Sequence, residues 1–211
     1  MKALDDLHIK QISPLISPKE LKNEFSADNA AYESVIQSRK TIKEILERKD
    51  DRLLAIVGPC SIHDTVAGLE YAEKLRDLSL KIKDEIFPVM RVYFEKPRTT
   101  IGWRGLIMDP DMDDSYDIHK GLHISREFLL KIAKMGLPTG SEMLDPIIPQ
   151  YISDLISWAA IGARTSESQT HRSLASGMSM PVGFKNGTGG NLNLAVNAID
   201  TAQHPSSFIG I

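Results

Sequence analysis

Three cations and two hydroxyls stand close together in Arg91-Val92-Tyr93-Phe94-Glu95-Lys96-Pro97-Arg98-Thr99-Thr100. The apolar run from Phe87 to Phe94 reads as a buried strand, on which Arg91, Tyr93 and Glu95 share one side because side chains alternate with a period of two. Pro97 has no N–H to give a ladder, so the residues after it must leave the sheet. Lys96 then offers a point-charge ammonium, Arg98 a guanidinium fork suited to phosphate or carboxylate, and Thr99 and Thr100 hydroxyl donors, all within one turn. A solvated basic loop is the plainer account of an arbitrary Lys/Arg triplet. The apolar lead-in and the proline stop favour a site built for anions.

Cys60 is the one cysteine of 211 residues and sits in Gly58-Pro59-Cys60-Ser61, just after an apolar run. One cysteine excludes an internal disulfide framework and fits a reducing cytoplasm, leaving packing, a reactive thiol or a metal ligand as its use. No histidine joins it convincingly. His119 and His123 have helical i, i+4 spacing, but Lys120, Gly121 and Leu122 between them include no Glu base, so they read as a solvated helix face. His8, His171 and His204 have no ligand spacing with Cys60, and His63 reads as part of the loop before the next helix. Gly187-Thr188-Gly189-Gly190 lacks the last glycine of a dinucleotide fingerprint, since that position is Leu192. A flexible loop beside the strand end is expected instead.

The elements that must position these groups follow from periodicity. Residues 1–16 read as an extended arm without pattern. Ser17-Pro18-Lys19-Glu20 is a helix start with a capping box, and a second helix is expected from Asp28 to Arg48 with Val35, Ile42, Ile45 and Leu46 on one face. From Arg52 onward strands and helices alternate. Strands are expected at Leu53–Val57, Phe87–Phe94, Thr139–Leu144, Ala159–Ala163 and Val182–Lys185, with a sixth beginning at Ser207–Ile211. The intervening helices start at Asp64, with Leu69, Ala72, Leu75, Leu78 and Ile82 facing inward, and run from about Asp117 to Met135, Ile147 to Ser157, Glu167 to Ser176 and Asn193 to Ala202.

Apolar strands each followed by a helix require a parallel sheet with right-handed crossovers. Polar residues at the strand C-termini, namely Cys60, Lys96, Arg98, Glu142, Arg164 and Lys185, come from five successive strands. A doubly wound sheet gathers such groups at one switch point, whereas a (β/α)8 TIM barrel places chemistry at every strand end on one face. The expected fold is therefore an α/β TIM barrel, incomplete at the C-terminus because six strands cannot close eight. Residues 1–50 form an N-terminal arm and helices, and 51–211 the first six strand and helix units.

With 25 Lys plus Arg against 28 Asp plus Glu, the net charge of -3 gives no global field for nucleic acid or an acidic membrane. No apolar run approaches the roughly 20 residues of a membrane span, and Met1-Lys2-Ala3-Leu4 does not read as a signal peptide. A cytoplasmic protein is expected.

Four stretches carry a resemblance: Arg91 to Thr100, Gly58-Pro59-Cys60-Ser61-Ile62-His63-Asp64, Gly162-Ala163-Arg164-Thr165, and Pro181-Val182-Gly183-Phe184-Lys185-Asn186-Gly187. In this order the chain resembles the type I, feedback-regulated 3-deoxy-D-arabino-heptulosonate 7-phosphate (DAHP) synthases, from about Asp5 onward. The resemblance implies a transferase that condenses phosphoenolpyruvate with erythrose 4-phosphate, opening the shikimate route to aromatic amino acids. It implies that Arg91, Lys96, Glu142, Ala163, Arg164 and Lys185 surround phosphoenolpyruvate, with Lys96, Lys185 and Glu142 in catalytic roles. Pro97, Arg98 and Thr99 would hold the phosphate end of erythrose 4-phosphate. Cys60 would be one ligand of a divalent metal whose other ligands come from later strands. Asp6, Pro149, Gln150 and Ser179 resemble an aromatic amino-acid effector pocket, with tyrosine the leaning. A homo-oligomer is implied. The family pattern has Asp where this chain has Gly189. A different reading is a truncated or regulatory chain that keeps the anion site without the metal site and does no chemistry.

Overall fold

The computed structural model describes residues 6–9, 12 and 14–207. Two helices precede the sheet, α1 (Pro18–Glu24) and α2 (Asn29–Leu46). Both begin as their sequences dictate. Ser17 Oγ accepts the Glu20 N–H while the Glu20 carboxylate accepts the Ser17 N–H, and Asp28 accepts the Ala31 N–H, which satisfies amides that a helix leaves unpaired. The alternating part follows as β1 (Leu53–Val57), α3 (Thr65–Ile82), β2 (Ile86–Arg91), α4 (Ile118–Lys134), β3 (Thr139–Glu142), α5 (Pro149–Ile152), β4 (Trp158–Ile161), α6 (Gln169–Ser176), β5 (Val182–Phe184) and α7 (Leu192–Ala202).

The five strands pair in parallel in the order β1-β2-β3-β4-β5. Right-handed crossovers that always step the same way put every helix on one face of the sheet, which is the wall of a barrel rather than a doubly wound sheet. The sheet is α/β and an incomplete barrel, as the strand-end polar residues require. Its two faces separate by parity. Met90, Val92, Phe94, Ala159 and Ile161 join the core with Leu122, Phe128, Leu129 and Ile132 of α4, and Val182 and Phe184 pack against it. The opposite parity carries Val89 and Arg91, Gly140 and Glu142, Trp158 and Gly162, and Gly183 and Lys185. There the Trp158 ring lies where a side chain at Gly183 would collide with it and one at Gly140 would crowd it. Glycine on both neighbouring strands lets one large ring fill the barrel interior below the charged rim.

Pro88 lies inside β2 without breaking it. Met90 and Val92 donate toward β3, to the Pro138 and Gly140 carbonyls, so even-numbered amides of β2 face that neighbour. The β3 ladder starts level with Met90, and Pro88 has no partner there to lose.

Several boundaries differ from expectation. β2 ends at Arg91 rather than Phe94, because β1 has already ended at Val57; the extension stays extended, with the Val92 N–H on Gly140 and the Tyr93 carbonyl accepting from Ile62. β3 stops at Glu142 rather than Leu144, β4 at Ile161 rather than Ala163 and β5 at Phe184 rather than Lys185. The single helix expected over Ile147–Ser157 is α5 followed by a 3-10 turn, Ser153–Leu155. Arg39 binds the Ser153 and Ile156 carbonyls and Arg126 the Tyr151 carbonyl, so guanidinium groups from α2 and α4 fix this bend. Leu78 and Leu46, expected on inner faces, are exposed. α3 packs chiefly on β2 and α4, which leaves the flank bearing Leu78 uncovered. Ser207 is not in a strand, and residues 208–211 of the expected sixth strand lie outside the described residues.

The N-terminal helices are anchored to the barrel wall. Arg126, fully buried on α4, makes a two-pronged ion pair with Asp154 at 2.8 and 2.9 Å and also holds the Phe25 carbonyl after α1. Tyr151 donates its hydroxyl to the Ile16 carbonyl. A buried charge is tolerated here because its partners are fixed by backbone on three elements.

Candidate anion site at the strand ends

The inward-facing ends of β2, β3 and β5 bring opposite charges together. Lys185, one residue past β5, donates to Glu142 at the end of β3 over 2.8 Å, and Glu142 is buried while Lys185 is half open to solvent. Two features of β4 and its loop make room and fix the lysine. Gly162 faces the Glu142 carboxylate so closely that any side chain there would overlap Glu142 Oε1. Ser166 Oγ lies 2.7 Å from the Lys185 carbonyl and 2.9 Å from the Gly162 carbonyl, so its single proton ties the loops after β4 and β5.

Arg91 completes the group. Its guanidinium lies over the Tyr93 ring at 4.2 Å, and the Lys185 ammonium stands 5.3 Å from the same ring, so Tyr93 is an apolar platform between two cations. Burial pushes the Tyr93 hydroxyl above the usual tyrosine range, against the opposite pull of Lys185 and Arg91. The Arg91 Nε is buried with no hydrogen-bond partner among the described residues. A buried charged donor left unsatisfied is costly unless something outside the chain accepts from it. A carboxylate or phosphate reaching the Arg91 Nε fits that demand.

Lys96 and Cys60 form the neighbouring cluster. The Lys96 ammonium lies 2.7 Å from the Cys60 carbonyl and 3.1 Å from Cys60 Sγ. That hydrogen bond and charge hold the exposed thiol below the usual cysteine range, with weaker pulls from Arg91 and Arg98. The segment after Lys96 closes on itself: the Lys96 N–H donates to the Arg104 carbonyl, and Arg98 Nε donates to the Trp103 carbonyl. Arg98 and Thr99 are exposed, and so is Arg164 on the turn after β4, beside the partly buried Ala163. Glu142 and Lys185 therefore pair directly, Arg91 joins them through the shared Tyr93 ring, Lys96 meets Cys60, and Arg98, Thr99 and Arg164 stand exposed on the segments after β2 and β4. Among the described residues no group of three or more His, Cys, Asp or Glu side chains is placed to hold a metal ion. Cys60 alone does not make a metal centre, since such sites take three or four protein ligands.

Residues 24–211 match the DAHP synthetase I family. The chain belongs to that family. It is 56% identical over 207 residues to a Phe-sensitive phospho-2-dehydro-3-deoxyheptonate aldolase and 53% identical over 209 residues to a Tyr-sensitive one, both of Escherichia coli K12. These alignments cover 98% and 99% of this chain and 59% of each relative. The solved structure of a phospho-2-dehydro-3-deoxyheptonate aldolase from Francisella tularensis superposes with a TM-score of 0.93 at 50% identity, covering 96% of this chain and 59% of that one. The chain thus spans about 59% of the length of the relatives it matches.

Within this DAHP synthetase I chain, the four residues read as an effector pocket come from three parts of the chain. Asp6 is exposed in a left-handed conformation, Pro149 opens α5 as a buried residue with Gln150 beside it, and Ser179 is exposed after α6. Ser179 lines a groove of about 560 Å³ with Arg39, Lys43 and Leu46 of α2 and Met178. Sequence reasoning gave no role to Tyr93, Ser166, Glu95 or His171. Tyr93 was legible by its period-two kinship with Arg91; Ser166 reaches the Lys185 carbonyl and His171 the Leu144 carbonyl, 19 and 27 residues away, which no local spacing announces.

Proposed function

We propose that the chain supplies the phosphoenolpyruvate site of a DAHP synthase, which joins C3 of phosphoenolpyruvate to the aldehyde of erythrose 4-phosphate, adds water at C2 and releases phosphate. The observation that carries this reading is the buried, unsatisfied Arg91 Nε beside Lys185. Phosphoenolpyruvate bears a carboxylate and a phosphate close together, so it needs cations from different directions, and Arg91, Lys96, Arg164 and Lys185 offer them from the ends of three strands, β2, β4 and β5. Glu142 is the one acid among them. It holds the Lys185 ammonium in place and is also suited to orient a water toward C2. Pro97, Arg98 and Thr99 would receive the phosphate end of erythrose 4-phosphate. A divalent metal, which would polarise the aldehyde carbonyl, would find Cys60 as its ligand in this chain.

On the same reading, residues 1–50 make the subunit contact and effector region of a homo-oligomer, 51–211 the barrel units, and Asp6, Pro149, Gln150 and Ser179 contribute to binding an aromatic amino acid. Among the described residues no helix is long and apolar enough to cross a membrane. A cytoplasmic setting suits the exposed free thiol.

A second reading is a truncated or regulatory chain that binds the anion without turnover, since among the described residues no group of three or more His, Cys, Asp or Glu side chains is placed to hold a metal ion. Phosphate release from phosphoenolpyruvate, measured with erythrose 4-phosphate and a divalent metal, separates the two. Metal-dependent release supports the synthase; phosphoenolpyruvate binding without release supports the second reading.

A further inference from the structure

Among the described residues, Glu95 is a buried carboxyl that no cation pairs with. It is 4% exposed, and its neighbour Lys96 turns away to Cys60. Its hydrogen-bond partners are two consecutive backbone amides, with the Asp145 N–H 3.0 Å from one oxygen and the Leu144 N–H 3.4 Å from the other. Both amides belong to the turn that begins two residues after Glu142. The other side of this turn is held by α6: His171 Nε2 lies 2.6 Å from the Leu144 carbonyl and Nδ1 lies 2.8 Å from Ser168 Oγ. A carbonyl only accepts, so Nε2 carries the proton.

Burying a carboxyl with no cation is expensive, and an apolar side chain of similar size would serve folding more cheaply. Burial pushes Glu95 up to about 8, the two amides pull it down, and the charges of Asp145 and Glu142 add to the rise. What an apolar side chain cannot do is hold two adjacent N–H donors at once. We propose that Glu95 is a positioning residue: it grips the Leu144–Asp145 turn and thereby holds Glu142 against Lys185 in the anion site. The ligand of that site rests on the phosphoenolpyruvate reading; the grip on the turn does not.

Two variants of the chain test this. Glu95→Gln keeps the size but leaves one acceptor oxygen and sets an NH2 against the second amide. Glu95→Asp keeps the carboxyl but withdraws it by one methylene. In both, amide exchange at Leu144 and Asp145 is expected to quicken about tenfold or more, the Glu142 carboxyl carbon resonance to shift, and phosphoenolpyruvate affinity to fall about tenfold. The Met90 and Val92 amides, bonded to Pro138 and Gly140, should keep their protection. Unchanged exchange at the turn, an unmoved Glu142 resonance, or loss of protection at Met90 and Val92 as well would overturn the role, the last because it marks general loosening. If the unmodified chain binds no phosphoenolpyruvate while the turn and Glu142 still respond, the anion-site reading fails and the positioning role stands.

Discussion

Cys60 and Glu95 are both titratable, and their surroundings push them in opposite directions. The Lys96 ammonium favours the thiolate of Cys60, and the thiolate is the form that attacks electrophiles. Near neutral pH, Cys60 should alkylate with iodoacetamide faster than a free cysteine, and Lys96→Met should slow it; equal rates with and without the ammonium would contradict the contact. For Glu95 the folded value of about 8 lies above the ordinary 4.5. Between those two pH values the folded chain keeps a proton that the unfolded chain has released, so stability from this group is full below about 4.5 and is lost as pH rises through about 8. Denaturant unfolding at about pH 5 and about pH 8 should show the unmodified chain losing more stability than Glu95→Gln over that range. Parallel pH profiles would show that Glu95 is not buried as protonated acid.

At the scale of elements, the close approach of Gly162 to Glu142 gives the sharpest expectation. A methyl at Gly162 overlaps the Glu142 carboxylate, so Gly162→Ala should cost about 1–3 kcal/mol and disturb the Lys185 pair. Gly189, with nothing within 4 Å of an added Cβ, should accept alanine within about 0.5 kcal/mol. Thermal melts of the two variants compare them directly, and equal melting temperatures would contradict the packing described. The same contrast shows what the sequence made legible. The Ser17 and Asp28 caps, β1, α3 and the cation-rich end of β2 follow from local spacing and are present. The bend at Ser153–Leu155 depends on Arg39 and Arg126, whose carbonyl partners lie up to 117 residues away, and no local pattern encodes it. Likewise Arg91 and Lys185 could each be placed at a strand end, but their shared platform on Tyr93 required the sheet.

At the scale of the molecule, the described residues form a run of five parallel strands whose inner rim gathers charges from β2, β3 and β5, while the helices and the anchored N-terminal pair cover one face. Its belonging to the DAHP synthetase I family and its span of about 59% of its relatives agree with that partial barrel. The proposed phosphoenolpyruvate site at the rim of β2, β3 and β5 depends on Arg91. Titration calorimetry of phosphoenolpyruvate into the unmodified chain, Arg91→Ala and Lys74→Ala tests it most directly. Lys74 is an exposed helix residue paired with Glu70, so its loss should change affinity by under about 1 kcal/mol. Loss of the Arg91 guanidinium should cost about 1.5–3 kcal/mol, roughly tenfold to more than a hundredfold in affinity. Equal affinities for Arg91→Ala and Lys74→Ala, or no binding to the unmodified chain, would contradict the account.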